Sequence, residues 1–210
     1  GVGGVVLPAD VPGHVTNIKD AISMTIDTAQ LTFTTSLGDI VIALHEEVAP
    51  KTVQYVRSFV GAGLYADAGF YRSTRFGVAG RLPLLQGGPL SAFAAEGAGA
   101  FSAEQMLDTV EPTSVTGLAD VRGTVSLARD IFETGHVAPE PFICLDNYPE
   151  LDEGGRTEPD TLGFPASGSV TADLEVVAAI AAMEKGGVDT VGRFVGEFLT
   201  EPVAINRAIC

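Results

Sequence analysis

A chain of 210 residues with 46% hydrophobic and 19% charged residues is long and apolar enough to bury a sizeable core, and is read as one domain with extensions. Its net charge of −15 argues against binding nucleic-acid phosphate or anionic lipid, so partners are expected to be neutral or basic. The longest apolar stretch, Val176 to Met183, stops at Glu184 and Lys185, well short of the roughly 18 residues a membrane helix needs.

Residues 1–30 show no strand alternation. Thr16 or Asn17 can cap a short helix through Ser23, and the segment reads as an N-terminal extension laid on the domain or on a partner. From Leu31 the pattern sharpens. Leu31–Thr34 and Ile40–Leu44 are β-prone runs joined by the turn-forming Ser36-Leu37-Gly38-Asp39, which predicts a hairpin. Pro50 stands where a helix begins, and Val53, Val56, Phe59 and Val60 follow at helical spacing until Gly61 and Gly63.

Phe70-Tyr71-Arg72 and Leu82–Gln86 predict two further strands, the second followed by Gly87-Gly88. This stretch sets one arginine and one glutamine among apolar residues, a composition suited to a shallow binding groove. Ser91 to Phe101 is rich in alanine and glycine, and a short helix is predicted near Ser102–Leu107. Strands are expected at Gly123–Arg129, Phe142–Leu145, Gly168–Thr171 and around Val203-Ala204-Ile205, with a loop holding Gly135 and Pro139 between the first two. Leu174, Val177, Ala178 and Ala181 mark a second amphipathic helix ended by Gly186-Gly187. Many short strands and two helices give an antiparallel barrel with helices over its ends.

No catalytic metal or cofactor is expected. His14, His45 and His136 are scattered, and the acidic stretch from Glu150 to Asp160 lacks the order of acceptors that a calcium loop needs. Cys144, inside Phe142–Leu145, reads as a buried inert thiol, which leaves the redox compartment open. A chain that opens at Gly1 without a basic leader reads as processed. Its acidic, lysine-poor composition leans to a plastid (thylakoid) lumen over a periplasm.

In order along the chain, Ser36–Leu44, Ala49-Pro50-Lys51-Thr52-Val53, Gly63-Leu64-Tyr65, Phe70-Tyr71-Arg72, Gln86-Gly87-Gly88, Arg122–Arg129, Phe142-Ile143 and Leu151-Asp152 resemble the landmarks of the cyclophilin family of peptidyl-prolyl isomerases. The resemblance runs from about Leu31 to the C-terminus. It implies a closed eight-stranded barrel with two capping helices, carrying insertions near 73–82, 89–120 and 186–200. It places Arg72 at the catalytic arginine, Gln86 at the neighbouring glutamine, Phe142, Leu84 and Leu151 at the proline pocket, and Ala128 at a groove alanine. The chain departs from the pattern at Pro83, where a second pocket phenylalanine is usual, and at Glu150, where a tryptophan is usual. No histidine follows Leu151-Asp152, and the connector from Arg72 to Gln86 is longer than the family's. The implied function is a weak prolyl isomerase acting on proline-containing segments. The alternative is a non-catalytic subunit of a larger, photosynthetic assembly, held through the extension, the Ser91–Leu107 excursion and Val188–Leu199.

Overall fold

The computed structural model describes residues 29–91, 101, 103–131, 133–187 and 194–210. The first 28 residues, most of the Ser91–Phe101 stretch and positions 188–193 therefore lie outside the described residues, as do the N-terminal short helix and part of the 188–199 segment anticipated from the sequence.

Strands β1 (Gln30–Thr35) and β2 (Gly38–Leu44) form the expected hairpin. Their inward residues Leu31, Phe33, Ile40, Ile42 and Leu44 are all buried, the alternation a half-solvated sheet requires. Helix α1 (Pro50–Gly61) starts with Pro50 in its first turn and buries Val53, Tyr55, Val56 and Phe59. Its open N–H groups are met from far along the chain: Lys51 N–H and Thr52 N–H donate to the carboxylate of Glu111 at 2.6 and 3.0 Å, as does the Thr52 hydroxyl at 2.8 Å. This capping ties the chain before α2 (Thr113–Thr116) to the body of the protein.

The remaining strands are β3 (Gly69–Thr74), β4 (Leu84–Gly88), β5 (Thr124–Arg129), β6 (Val137–Cys144), β7 (Ala166–Ala172), β8 (Phe198–Ala204) and β9 (Arg207–Ile209), with α3 (Leu174–Ala181) after β7. They make one curled antiparallel sheet in the order β8-β3-β4-β6-β5-β7-β2-β1-β9. A core of Phe33, Tyr65 and Phe70, packed edge to face at 5.4 and 5.9 Å, fills the curl together with Leu85, Leu127 and Ile143.

The structure corrects the anticipated barrel in three places. Nine strands replace eight, because the C-terminal stretch is split: Phe198–Ala204 pairs with β3, Ile205 and Asn206 bond to Ala68 and Thr34, and Arg207–Ile209 pairs with β1. Three α-helices rather than two are found among the described residues, α2 being a single turn closed by Gly117 in the left-handed region. Finally, β6 begins at Val137 and absorbs Pro139 and Pro141. Both prolines lie in the part of β6 that pairs with β5 alone, since β4 joins only from Phe142, so their missing N–H groups interrupt no two-sided ladder.

Candidate active site

Cross-strand register assembles the site. Arg72 on β3 is paired with Gln86 on β4, Gln86 with Phe142 on β6, and Phe142 with Ser126 on β5. Residues directly opposite one another share a face of a sheet, so this row projects to the side away from Leu85, Ile143 and Val125, which fill the core. Two residues along each strand, Thr74, Leu84 and Cys144 make a second row on that same outer face.

The register of β3 shifts between Phe70 and Arg72, leaving Tyr71 as the extra residue of a bulge. Two residues of β3 therefore face one of β4, and both reach the Gln86 side chain. Arg72 Nη1 donates to Gln86 Oε1 at 2.9 Å, and Gln86 Nε2 donates to the Tyr71 hydroxyl oxygen at 2.8 Å. The Tyr71 hydroxyl in turn donates to Glu140 Oε1 at 2.9 Å, and Leu90 N–H donates to that oxygen at the same distance. Glu140 is 1% exposed and its Oε2 has no hydrogen-bond partner among the described residues. Burial holds its carboxyl well above the usual carboxylate range, and burial followed by the neighbouring Glu140 raises Tyr71 likewise.

Arg72 is held from a second side by residues that the sequence did not single out. Its Nε donates to Glu197 Oε2 at 2.8 Å, Thr74 hydroxyl donates to Glu197 Oε1 at 2.5 Å, and the Phe194 ring lies 4.1 Å from the guanidinium carbon. The side chains of Arg72 and Glu197 are 20% and 28% exposed, so the ion pair sits at the edge of solvent.

Beside this polar group, Leu84, Phe142 and Leu151 come together with Cys144 and Tyr148 in one buried apolar cluster, with Phe164 against it. Phe142 and Phe164 meet edge to face at 5.7 Å. Ala128, two residues along β5 from Ser126, is half-buried and outside the cluster. Tyr148, wholly buried, and Phe164 supply aromatic surface in a region where Pro83 and Glu150 supply none. The long connector between β3 and β4 is fastened over this wall: Arg81 pairs with Glu150 and lies 4.5 Å from the Tyr148 ring, Phe76 packs on the same ring at 5.1 Å, and Tyr148 hydroxyl donates to the Leu82 carbonyl. Behind the wall, Ser126 hydroxyl donates to Asp120, whose carboxyl is pushed up to about 8, mainly by burial.

Tyr71, Glu140, Glu197 and Tyr148 left little trace in the sequence. The signal available for Glu140 was a single acid inside the otherwise apolar Val137–Cys144. Among the described residues no three His, Cys, Asp or Glu side chains converge as a metal site, and no helix is long and apolar enough to cross a membrane. Cys144 is buried and Cys210 exposed, and both are free thiols.

Residues 30–208 match the family model described as cyclophilin type peptidyl-prolyl cis-trans isomerase/CLD. The chain is 29% identical over 178 residues to peptidyl-prolyl cis-trans isomerase A of Dickeya dadantii (strain 3937), covering 83% of this chain and 82% of that one. Two crystal structures of a Cryptosporidium parvum cyclophilin type peptidyl-prolyl cis-trans isomerase share the fold. One, determined in the presence of the dipeptide ala-pro, superposes with a TM-score of 0.63 at 16% identity over 86% of this chain and 98% of that one. The other gives 0.64 at 16% identity over 87% and 96%.

Proposed function

The chain belongs to the cyclophilin family of peptidyl-prolyl cis-trans isomerases, and on that premise we propose that it rotates X-Pro bonds of extended polypeptide segments laid across the outer face of β3, β4 and β6. The observation that carries this reading is the row Arg72–Gln86–Phe142, which sets a fixed guanidinium and an amide beside an apolar cluster on one face.

Rotation about a prolyl amide must break its resonance, a barrier of about 18–20 kcal/mol, and requires neither nucleophile nor proton relay. In the twisted state the proline nitrogen regains a localised lone pair. Arg72 stabilises that state by donating to the nitrogen, a bond stronger in a desolvated groove than in water. Its Nη1 and Nε are committed to Gln86 and Glu197, which leaves Nη2, with no hydrogen bond to another described residue, to face the substrate. Phe142, Leu84 and Leu151 form the apolar wall for the proline ring, with Tyr148 closing it from behind. Gln86 and the groove around Ala128 receive the flanking backbone.

Leu84, Phe142 and Leu151 are each no more than 5% exposed, so a proline meets a shallow, largely filled wall, which supports a modest rate. The isomerase reading is favoured over the non-catalytic scaffold by the family, the relative and the fold together. A lumenal compartment draws support from the acidic, lysine-poor balance of the chain. The test is a protease-coupled proline-peptide assay on wild type and Arg72→Ala. The variant is expected to lose about a hundredfold in kcat/KM. Equal rates for the two proteins would refute the assignment.

A further inference from the structure

We propose that Glu140 is a positioning residue for Arg72: by accepting the Tyr71 hydroxyl hydrogen bond it fixes the direction of the chain Glu140–Tyr71–Gln86–Arg72, so that the Gln86 oxygen, and not its amide nitrogen, meets the guanidinium. The inference rests on the proposed role of Arg72 and goes beyond it, because Glu140 touches neither Arg72 nor the groove.

A glutamine amide is nearly symmetric in shape, so packing alone does not decide which end points where; its partners decide. An arginine is all donor, and Gln86 serves it only with the carbonyl oxygen forward. With the amide reversed, two sets of N–H groups would face each other and the guanidinium would lose its anchor. The Tyr71 hydroxyl has one proton to give. It donates that proton in the hydrogen bond to Glu140 Oε1, which leaves the Tyr71 oxygen only the role of acceptor, and an acceptor there calls for the Gln86 NH2 group. The Gln86 oxygen is thereby left to Arg72 Nη1.

The bulge at Tyr71 is what brings Tyr71 and Arg72 to the same glutamine. At the far end the polarity is anchored by main chain. Leu90 N–H gives a second hydrogen bond to the same Oε1, so that oxygen is an acceptor twice over. The other oxygen, Oε2, lies against Gly88, where a Cβ would stand 1.4 Å from it. Burial favours the neutral acid, with its proton on Oε2 and its carbonyl oxygen toward Tyr71. A carboxylic acid and a primary amide are interchangeable for this task.

Four variants test the proposal in the peptide assay, each checked for a native near-ultraviolet circular dichroism spectrum. Glu140→Gln keeps a carbonyl acceptor for Tyr71 and Leu90 and is expected to stay within about twofold of wild type. Glu140→Leu removes the acceptor. Tyr71 then donates to Gln86 Oε1 in competition with Arg72, and kcat is expected to fall about tenfold or more with KM changed by less than about twofold. Tyr71→Phe in the Glu140→Leu background removes that competing donor and is expected to recover most of the loss, which a purely structural role for Glu140 would not produce. Arg72→Ala separates the two levels of argument. If it keeps the wild-type rate, the catalytic reading falls and this one with it. If it is impaired while Glu140→Leu is not, or if the double variant recovers nothing, the positioning role alone is overturned. Should Glu140→Leu fail to fold, the wild-type protein still decides. The Gln86 side-chain amide protons are expected to show nuclear Overhauser contacts to the Tyr71 ring, and contacts to the Arg72 guanidinium in their place would overturn the proposal.

Discussion

Gly88→Ala inserts one methyl group into the place that the Glu140 carboxyl needs. The added Cβ would lie 1.4 Å from Glu140 Oε2 and 2.6 Å from its carboxyl carbon, with the Pro139 carbonyl oxygen at 3.2 Å, so the acid must leave. The backbone at Gly88 has φ +141°, a region that residues with a Cβ rarely adopt, and holding alanine there costs about 1–3 kcal/mol. Displacing the acid breaks its bonds from Tyr71 and Leu90, and each buried group left unpaired costs about 1–3 kcal/mol. The total is about 3–9 kcal/mol, which at about 2–4 °C per kcal/mol for a chain of this size lowers Tm by roughly 6–36 °C. Gly117→Ala is the control: φ is +73° but no atom lies within 4 Å of the added carbon, so only backbone strain remains, about 1 kcal/mol. Denaturant unfolding followed by circular dichroism measures both. Equal destabilisation of the two variants would refute the reasoning, because it would show that the Glu140 carboxyl needs no space from Gly88.

Glu197→Gln removes the anion beside Arg72 but keeps a hydrogen-bond acceptor. It is expected to cost less than about 1 kcal/mol of stability and to raise kcat/KM several-fold, since the guanidinium no longer shares its charge with a neighbour; a lower kcat/KM would show that Glu197 is needed to aim it. Phe142→Ala is expected to destabilise the protein by about 3–5 kcal/mol in urea unfolding and to raise KM for proline peptides. The folded-state pKa of Asp120 lies above its ordinary 3.8, at about 8, so the native protein keeps a proton that the unfolded chain releases. Its contribution to stability is full below about pH 4 and declines as the pH rises to about 8, by at most about 1.4 kcal/mol per pH unit, and Asp120→Asn should flatten that part of the profile. Native protein should expose one reactive thiol, Cys210, to a disulfide reagent, with Cys144 reacting only in denaturant; rapid reaction of both would contradict the burial that raises the Cys144 thiol.

The hairpin, α1 and the strands that carry Arg72, Gln86 and Phe142 were legible because their signals are local. Alternation, a proline at a helix start and glycines at its end act within a few residues. Family landmarks added the pocket set, and Leu84, Phe142 and Leu151 do share one cluster. What stayed hidden depends on register or on distance. Tyr71 reaches Gln86 only because a bulge puts two residues opposite one, and a pattern of period two does not reveal where one slips. Glu197 and Phe194 meet Arg72 across a long separation in the chain. Pro139 argued for a loop, and only the pairing of β6 shows why a strand tolerates it, and Pro141 beside it, there. The aromatic residue missing at Pro83 and Glu150 is met by Tyr148, whose burial is decided by the connector fastened over it.

The split between β8 and β9 has a consequence in time. Within the described sheet, Phe198–Ala204 completes the β3 side and Arg207–Ile209 the β1 side, so the two ends of the sheet are united by one short stretch at Ile205–Asn206. Thr34 pairs with Arg207 and Thr32 with Ile209, contacts between nearly the first and nearly the last described residues. Pairings so remote in sequence carry a high loop-closure cost and slow the final step of folding. During synthesis β1 and β2 emerge early with both edges of the hairpin unpaired; the β2 edge is covered once β7 is made, and the β1 edge waits for Arg207–Ile209. An exposed strand edge is a template for pairing with other chains. A protein of a family that speeds the folding of others thus has its own vulnerable interval, which lasts until its final strand is made.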